Sequence, residues 1–162
     1  MKKLILLATL IASIASLRAA ESGFQVSLTP DIALHDRSTT IHGLSLSIWG
    51  ENPQHGLALG FVNGSTGVSS GFTWSFIANY SDTYTGVAWG MVNISHEKFT
   101  GWQSGFVNVA KEFHGLQWGV INYSENLRGL QLGFINVAEN NPWFTEFPHK
   151  LATGFPIVNW SF

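Results

Sequence analysis

Gly115-Leu-Gln-Trp-Gly119-Val-Ile-Asn122 is followed, 14 residues on, by Gly129-Leu-Gln-Leu-Gly133-Phe-Ile-Asn136. The same frame stands upstream as Gly101-Trp-Gln-Ser-Gly105-Phe-Val-Asn108, Gly86-Val-Ala-Trp-Gly90-Met-Val-Asn93 and Gly56-Leu-Ala-Leu-Gly60-Phe-Val-Asn63. Two looser copies begin at Gly43 and Gly71, so seven leading glycines recur in steps of 13 to 15 residues. A period this regular marks a repeat architecture before any single residue is interpreted.

Each unit alternates. Leu116, Trp118 and Val120 fall on one face, and Gly115, Gln117 and Gly119 on the other. Period two with aromatic and β-branched residues specifies strands, not helices. Turn formers such as Glu51-Asn-Pro-Gln54, Gly64-Ser-Thr-Gly67 and Glu139-Asn-Asn-Pro142 lie between the units. No charged residue or histidine falls inside any of the seven segments. Phe24 to Leu28 and Gly154 to Phe162 alternate in the same way at the two ends, and Asn140 to Thr153 reads as a loop.

Composition agrees. The chain has 162 residues, 11% of them charged, with 17 Gly, 12 Phe, 7 Trp and no Cys. That excludes disorder, coiled coil, a disulfide scaffold and a thiolate metal site. Met1-Lys2-Lys3, the apolar run Leu4 to Leu17 and the small pair Ala19-Ala20 read as a secretory signal peptide. Residues 1–20 are therefore assigned to export and 21–162 to one all-β domain. Loss of Lys2, Lys3 and Arg18 leaves five basic and ten acidic residues, a net charge of −5. No basic footprint for nucleic acid exists.

Two architectures use these strands. The first is an antiparallel meander of 8–10 strands built from 14–15-residue repeats and closed as a small outer-membrane β-barrel. Leu57, Leu59 and Phe61 would face lipid, with Gly56, Ala58 and Gly60 in the lumen. The C-terminus favours it. Val158, Trp160 and Phe162 alternate toward a terminal Phe and resemble the assembly signal of Gram-negative outer-membrane proteins, implying the lipid bilayer and the barrel-assembly machinery as partners. The second is a secreted β-solenoid with Leu, Trp and Phe in a stacked core and the unit Asn residues in a corner ladder. Short turns throughout, and only three apolar residues per unit on one side, favour this alternative. The signal and the C-terminus place the barrel first.

The tile at 129–140, Gly-Leu-Gln-Leu-Gly-Phe-Ile-Asn-Val-Ala-Glu-Asn, resembles the bacterial surface repeat-containing protein family. Residues 43–140 carry the resemblance. It implies an envelope or surface location and a structural or adhesive role. It transfers no catalytic residue, and the units at Gly43 and Gly71 depart from its pattern.

The chemistry-bearing residues are few. The six histidines form no His-x-x-x-His pair. His55 and His114 precede unit glycines at a turn end. His35-Asp36 is the one pair able to orient a base for a barrel-borne hydrolase, but no activated serine is signalled. The expectation is a non-enzyme with no metal, cofactor or catalytic residue and an unspecified surface ligand. The five N-x-S sequences read as unit ends followed by turns, not as glycan acceptors. The repeat positions Gly56, Asn63, Gly86, Asn93, Gly101, Asn108, Gly115, Asn122, Gly129 and Asn136 are structural.

Overall fold

A computed structural model describes residues 20–162. The expected signal peptide lies outside the described residues, save Ala20. The strands are β1 (Glu21–Thr29), β2 (Ile32–Ala33), β3 (Thr40–Asn52), β4 (His55–Trp89), β5 (Val92–Ala138) and β6 (Gly154–Ser161).

The fold is all-β, but it is wound rather than rolled. β3 pairs with β4 in parallel, Leu44 beside Leu57 and Trp49 beside Val62. β4 pairs with β5 in parallel, Asn79 beside Asn93 and Gly86 beside Gly101. Partners 13 to 15 residues apart running in the same direction require a full circuit of the chain between them. A hairpin cannot do this, because it returns antiparallel. The 35 residues of β4 and the 47 of β5 therefore pass through corners and stack on their own earlier turns. Inside β5, for example, the Asn122 side-chain amide donates to the Leu132 carbonyl one turn on, at 2.9 Å.

The result is a β-solenoid of about six turns, which corrects the expected barrel. Closure would need β1 against β6. Instead β1 lies between β2 and β3, and β6 stands at the other end of the sheet, beside β5.

A second correction concerns the solenoid reading itself. Leu, Trp and Phe of the units do not fill the core. Counting the leading glycine as position 0, positions 1, 3 and 5 face outward. Phe61, Phe76, Phe106 and Phe134 are 51 to 81% exposed, whereas Gln103, Gln117, Asn93, Asn108 and Asn122 are at most 1% exposed. The coil is amide-filled and aromatic-coated.

Burying these amides is tolerable because each finds a partner one turn away. Asn63, Asn79, Asn93, Asn108, Asn122 and Asn136 form a single donor-to-acceptor ladder. Each Nδ2 donates to the next Oδ1, at 3.3 Å for the first link and 2.8 Å for the other four. The long link is at the loose unit, where Asn79 stands eight residues after Gly71 instead of seven. Ser47 Oγ donates to Asn63 Oδ1 at one end, and Asn136 Nδ2 reaches the Phe155 carbonyl at the other. A shorter glutamine ladder runs Gln131 to Gln117 to Gln103, both steps 2.9 Å.

The two glycines of the five regular units have distinct causes. The leading glycines from Gly56 to Gly129 have φ between 122° and 145°. A Cβ there would also strike the carbonyl oxygen of the leading glycine one turn earlier. The second glycine makes room for the ladder. A Cβ on Gly119 would lie 2.6 Å from Asn108 Nδ2.

The opposite side of the interior is apolar. Tyr84, Phe99, Phe113 and Leu127, each two residues before a leading glycine, are at most 1% exposed. Tyr84 stacks on Phe99 at 5.5 Å and Phe99 on Phe113 at 5.8 Å, centroid to centroid. Offset or stacked rings at these separations are favourable contacts beyond area burial.

Both ends carry added segments, β2 over Ser27–Thr29 of β1 at the first and residues 149–152 at the last. At the first turn, Gln25 donates to Asn52 and to the His35 carbonyl, and Asn52 holds the Asp36 and Thr39 carbonyls. At the last, β6 runs antiparallel along Gly129–Val137. Its outer edge is then occupied by the 149–152 segment, through Leu151 N–H to Trp160 O and Phe162 N–H to His149 O. Covering edge strands in this way blocks end-to-end growth.

Candidate functional site

The outward face of the seven units is the most unusual surface of the molecule. Strand alternation sends positions 1, 3 and 5 to one side on every turn, and turns stack roughly 4.8 Å apart. Like residues therefore line up in columns. Position 3 contributes Trp74, Trp89 and Trp118, and position 5 contributes Phe76, Met91, Phe106 and Val120. These seven side chains are 41 to 61% exposed.

Between the two columns runs a groove of about 480 Å³, floored by Gly90, Gly105 and Gly119. Its floor is low because position 4 must be small to admit the asparagine ladder beneath. Its Trp wall is broken at Ser104, which pairs with Trp89 in register. Trp102 stands one column over and links Trp89 and Trp118, each 6.5 Å away. Contiguous exposed apolar patches of this extent mark interaction sites.

Electrostatics leave the face neutral. Its three columns contain no charged residue. One long edge carries His42, His55, His114 and Arg128, each directly before a leading glycine. His42 stacks on His55 at 5.2 Å. His114 is pushed below the usual histidine range by partial burial, and by the nearby Lys98 and Arg128 charges. Arg128 keeps a permanent positive charge on this edge.

Gly56, Gly86, Gly101, Gly115 and Gly129 line the closest inter-turn approach, and Asn63, Asn93, Asn108, Asn122 and Asn136 form the buried ladder. Asn63, Asn79, Asn93, Asn122 and Asn159 of the N-x-S sequences are at most 4% exposed, which closes them to glycosylation in the folded chain. Val158, Trp160 and Phe162 lie on or beside the closing strand, not on a barrel seam. Val158 pairs with Leu132 and Trp160 with Leu130. Trp160 Nε1 donates to the Pro148 carbonyl at 2.8 Å, and Phe162 is 76% exposed.

His35 does meet a serine, which sequence reading missed. Its Nε2 is 3.0 Å from Ser22 Oγ. The contact is structural, because that hydroxyl donates to the Phe24 carbonyl and accepts from the Phe24 N–H. Among the described residues no carboxylate hydrogen-bonds the His35 ring, so the base-orienting role drawn for Asp36 is not built. No group of three or more His, Asp or Glu side chains able to hold a metal ion occurs among the described residues.

The sequence also concealed a cross-turn tie. Tyr80 donates to Glu51 Oε2 at 2.6 Å and accepts from Trp49 Nε1 at 3.0 Å, while Arg37 bridges Glu51 and Asp31. Burial, then the hydrogen bond to Glu51, pushes the Tyr80 phenol up to about 12. These contacts clamp the first turns together.

Neither a protein-family model, a curated protein nor a solved structure matches the chain. The face and its groove must be interpreted on their own geometry.

Proposed function

We propose that the chain is an exported, non-enzymatic β-solenoid that acts at the cell envelope as a structural or adhesive binding module through its aromatic outer face. The single observation carrying this reading is the inversion of the repeat. Large apolar side chains point to solvent on every turn, while the amides that could have solvated the surface are buried. A soluble domain gains roughly 25 cal/mol per Å² by burying apolar surface. A fold that leaves this much exposed keeps that gain for association. The resemblance to the surface-repeat family and the N-terminal export signal support the location. The groove lining supports binding over catalysis, since its two hydroxyls, Ser75 and Ser104, have no acid or base beside them in that lining.

Two measurements test it. Fractionation of cells producing the full chain should recover the protein outside the cytoplasm; a wholly cytoplasmic protein contradicts the location. An environment-sensitive apolar dye should bind the folded protein when it is dilute enough to be monomeric, and Phe76→Asp with Phe134→Asp should remove most of that binding while leaving the β-type circular dichroism unchanged. Dye binding unaffected by these substitutions contradicts the role of the face.

A further inference from the structure

We infer that the aromatic face is the contact surface of a parallel two-fold dimer. The Phe76–Met91–Phe106–Val120 ridge of each copy seats in the groove of the other. The inference rests on the reading of this face as a binding surface and names its partner, a second copy of this chain.

Three features of the face select this occupant. The first is extent. Seven stacked repeat units about 4.8 Å apart, crossed by six residues at about 3.3 Å each, give a footprint near 34 by 20 Å, or roughly 700 Å². A standard stable interface takes about 800 Å² per partner, so one copy is nearly the size the face needs.

The second is relief. Ridge and groove are neighbours, at positions 5 and 4. A two-fold axis parallel to the solenoid axis, passing between them, carries the ridge of one copy over the groove of the other and returns the favour by symmetry. Such an isologous contact closes on itself. Within it Phe106, 61% exposed, meets the opening that Ser104 leaves in the Trp wall of the facing turn. Position 4 glycines then let the opposing side chains approach the sheet, as when two sheets stack about 10 Å apart.

The third is charge and edges. A face without charges can meet its own copy without like-charge repulsion, even though residues 21–162 carry a net −5. The same acidity, with His114 held toward its neutral form, disfavours an anionic bilayer, which recruits Lys and Arg. The 149–152 segment covers the last turn and β2 covers Ser27–Thr29 of β1, which disfavours association by strand addition.

Analytical ultracentrifugation of the purified protein, without detergent, is the test. The expected result is a dimer at micromolar concentration, with Phe106→Asp or Ser104→Trp raising the dimer Kd at least tenfold and leaving circular dichroism unchanged. In this cysteine-free chain, Val120→Cys beside the axis should cross-link to itself with a short bismaleimide, and Lys111→Cys, off the face, should not. Cross-linking through Lys111→Cys alone, or a dimer indifferent to Phe106→Asp, overturns the proposal. A monomer that binds the apolar dye or phosphatidylcholine vesicles through this face also overturns it, while the binding-surface reading stands. A monomer that binds neither takes both down.

Discussion

Asn108 Nδ2 donates at once to Asn122 Oδ1, at 2.8 Å, and to the Trp118 carbonyl, at 3.0 Å. The equivalent pairs of bonds recur at Asn63, Asn93 and Asn122. This double use of one amide explains the unit: the asparagine holds the next turn by side chain and by backbone, and the second glycine leaves it space.

Asn108→Ala would break three hydrogen bonds and leave two buried groups without a partner, one N–H of the Asn93 amide and the Asn122 Oδ1. Each unsatisfied buried group costs about 1–3 kcal/mol, so the expected loss is about 3–4 kcal/mol in urea unfolding. A loss below about 1 kcal/mol would mean that the ladder is not buried.

Glycine substitutions should split by position. Gly119→Ala would press a methyl against Asn108 Nδ2, and Gly115→Ala would add a strained φ of 135° to a collision with the Gly101 carbonyl. Each should destabilise by more than about 3 kcal/mol, since neither the ladder nor the backbone can yield cheaply. Gly23→Ala meets nothing within 4 Å and should be neutral. Equal effects at Gly23 and Gly119, measured by thermal unfolding, would contradict the inter-turn geometry.

In the apolar stack, Phe113→Ala removes a fully buried ring and should cost about 3–5 kcal/mol. Tyr84→Phe should be neutral or stabilising, because the Tyr84 hydroxyl is buried without a partner. Urea denaturation of the two variants separates packing from polar burial. Destabilisation by Tyr84→Phe would show that the hydroxyl has a partner.

All three tyrosines of the chain are Tyr80, Tyr84 and Tyr123. Tyr80 and Tyr123 are raised to about 12, the first chiefly by burial and the second chiefly by its hydrogen bond to Glu139. Tyr84 is raised by burial alone. A phenol whose folded pKa exceeds its unfolded value near 10 contributes fully below pH 10, and the contribution fades as pH rises toward 12. Ultraviolet titration should therefore show little tyrosinate in the folded protein at pH 10 and about half-ionisation in the urea-unfolded chain. Coincident titrations would contradict the Glu51 and Glu139 contacts.

Much of this fold was legible in the sequence. Alternation in Leu116-Gln-Trp-Gly119-Val120 dictates strand, the spacing from Gly101 to Gly115 to Gly129 fixes the length of a turn, and a shared Asn position foretells a ladder. Direction was not legible. Parallel and antiparallel strands have the same period of two, so the repeat fits a barrel or a coil equally. The choice of inner face was hidden for another reason. Hydropathy puts Trp118 and Phe134 inside, but Gln117 and Asn122 can be buried once stacking pairs each amide with its neighbour, and only the register supplies those partners. The groove was invisible because it arises from Gly105 and Ser104, whose importance lies in what they leave open.

The central claim is parallel winding with asparagines inside, and nuclear Overhauser contacts between side-chain amides test it most directly. The account predicts cross-peaks from the Asn108 side-chain amide to that of Asn122, and from Asn122 to Asn136, with backbone contacts of the parallel type between Gly86 and Gly101. Antiparallel Hα–Hα contacts between neighbouring units, with none between those amides, would contradict it.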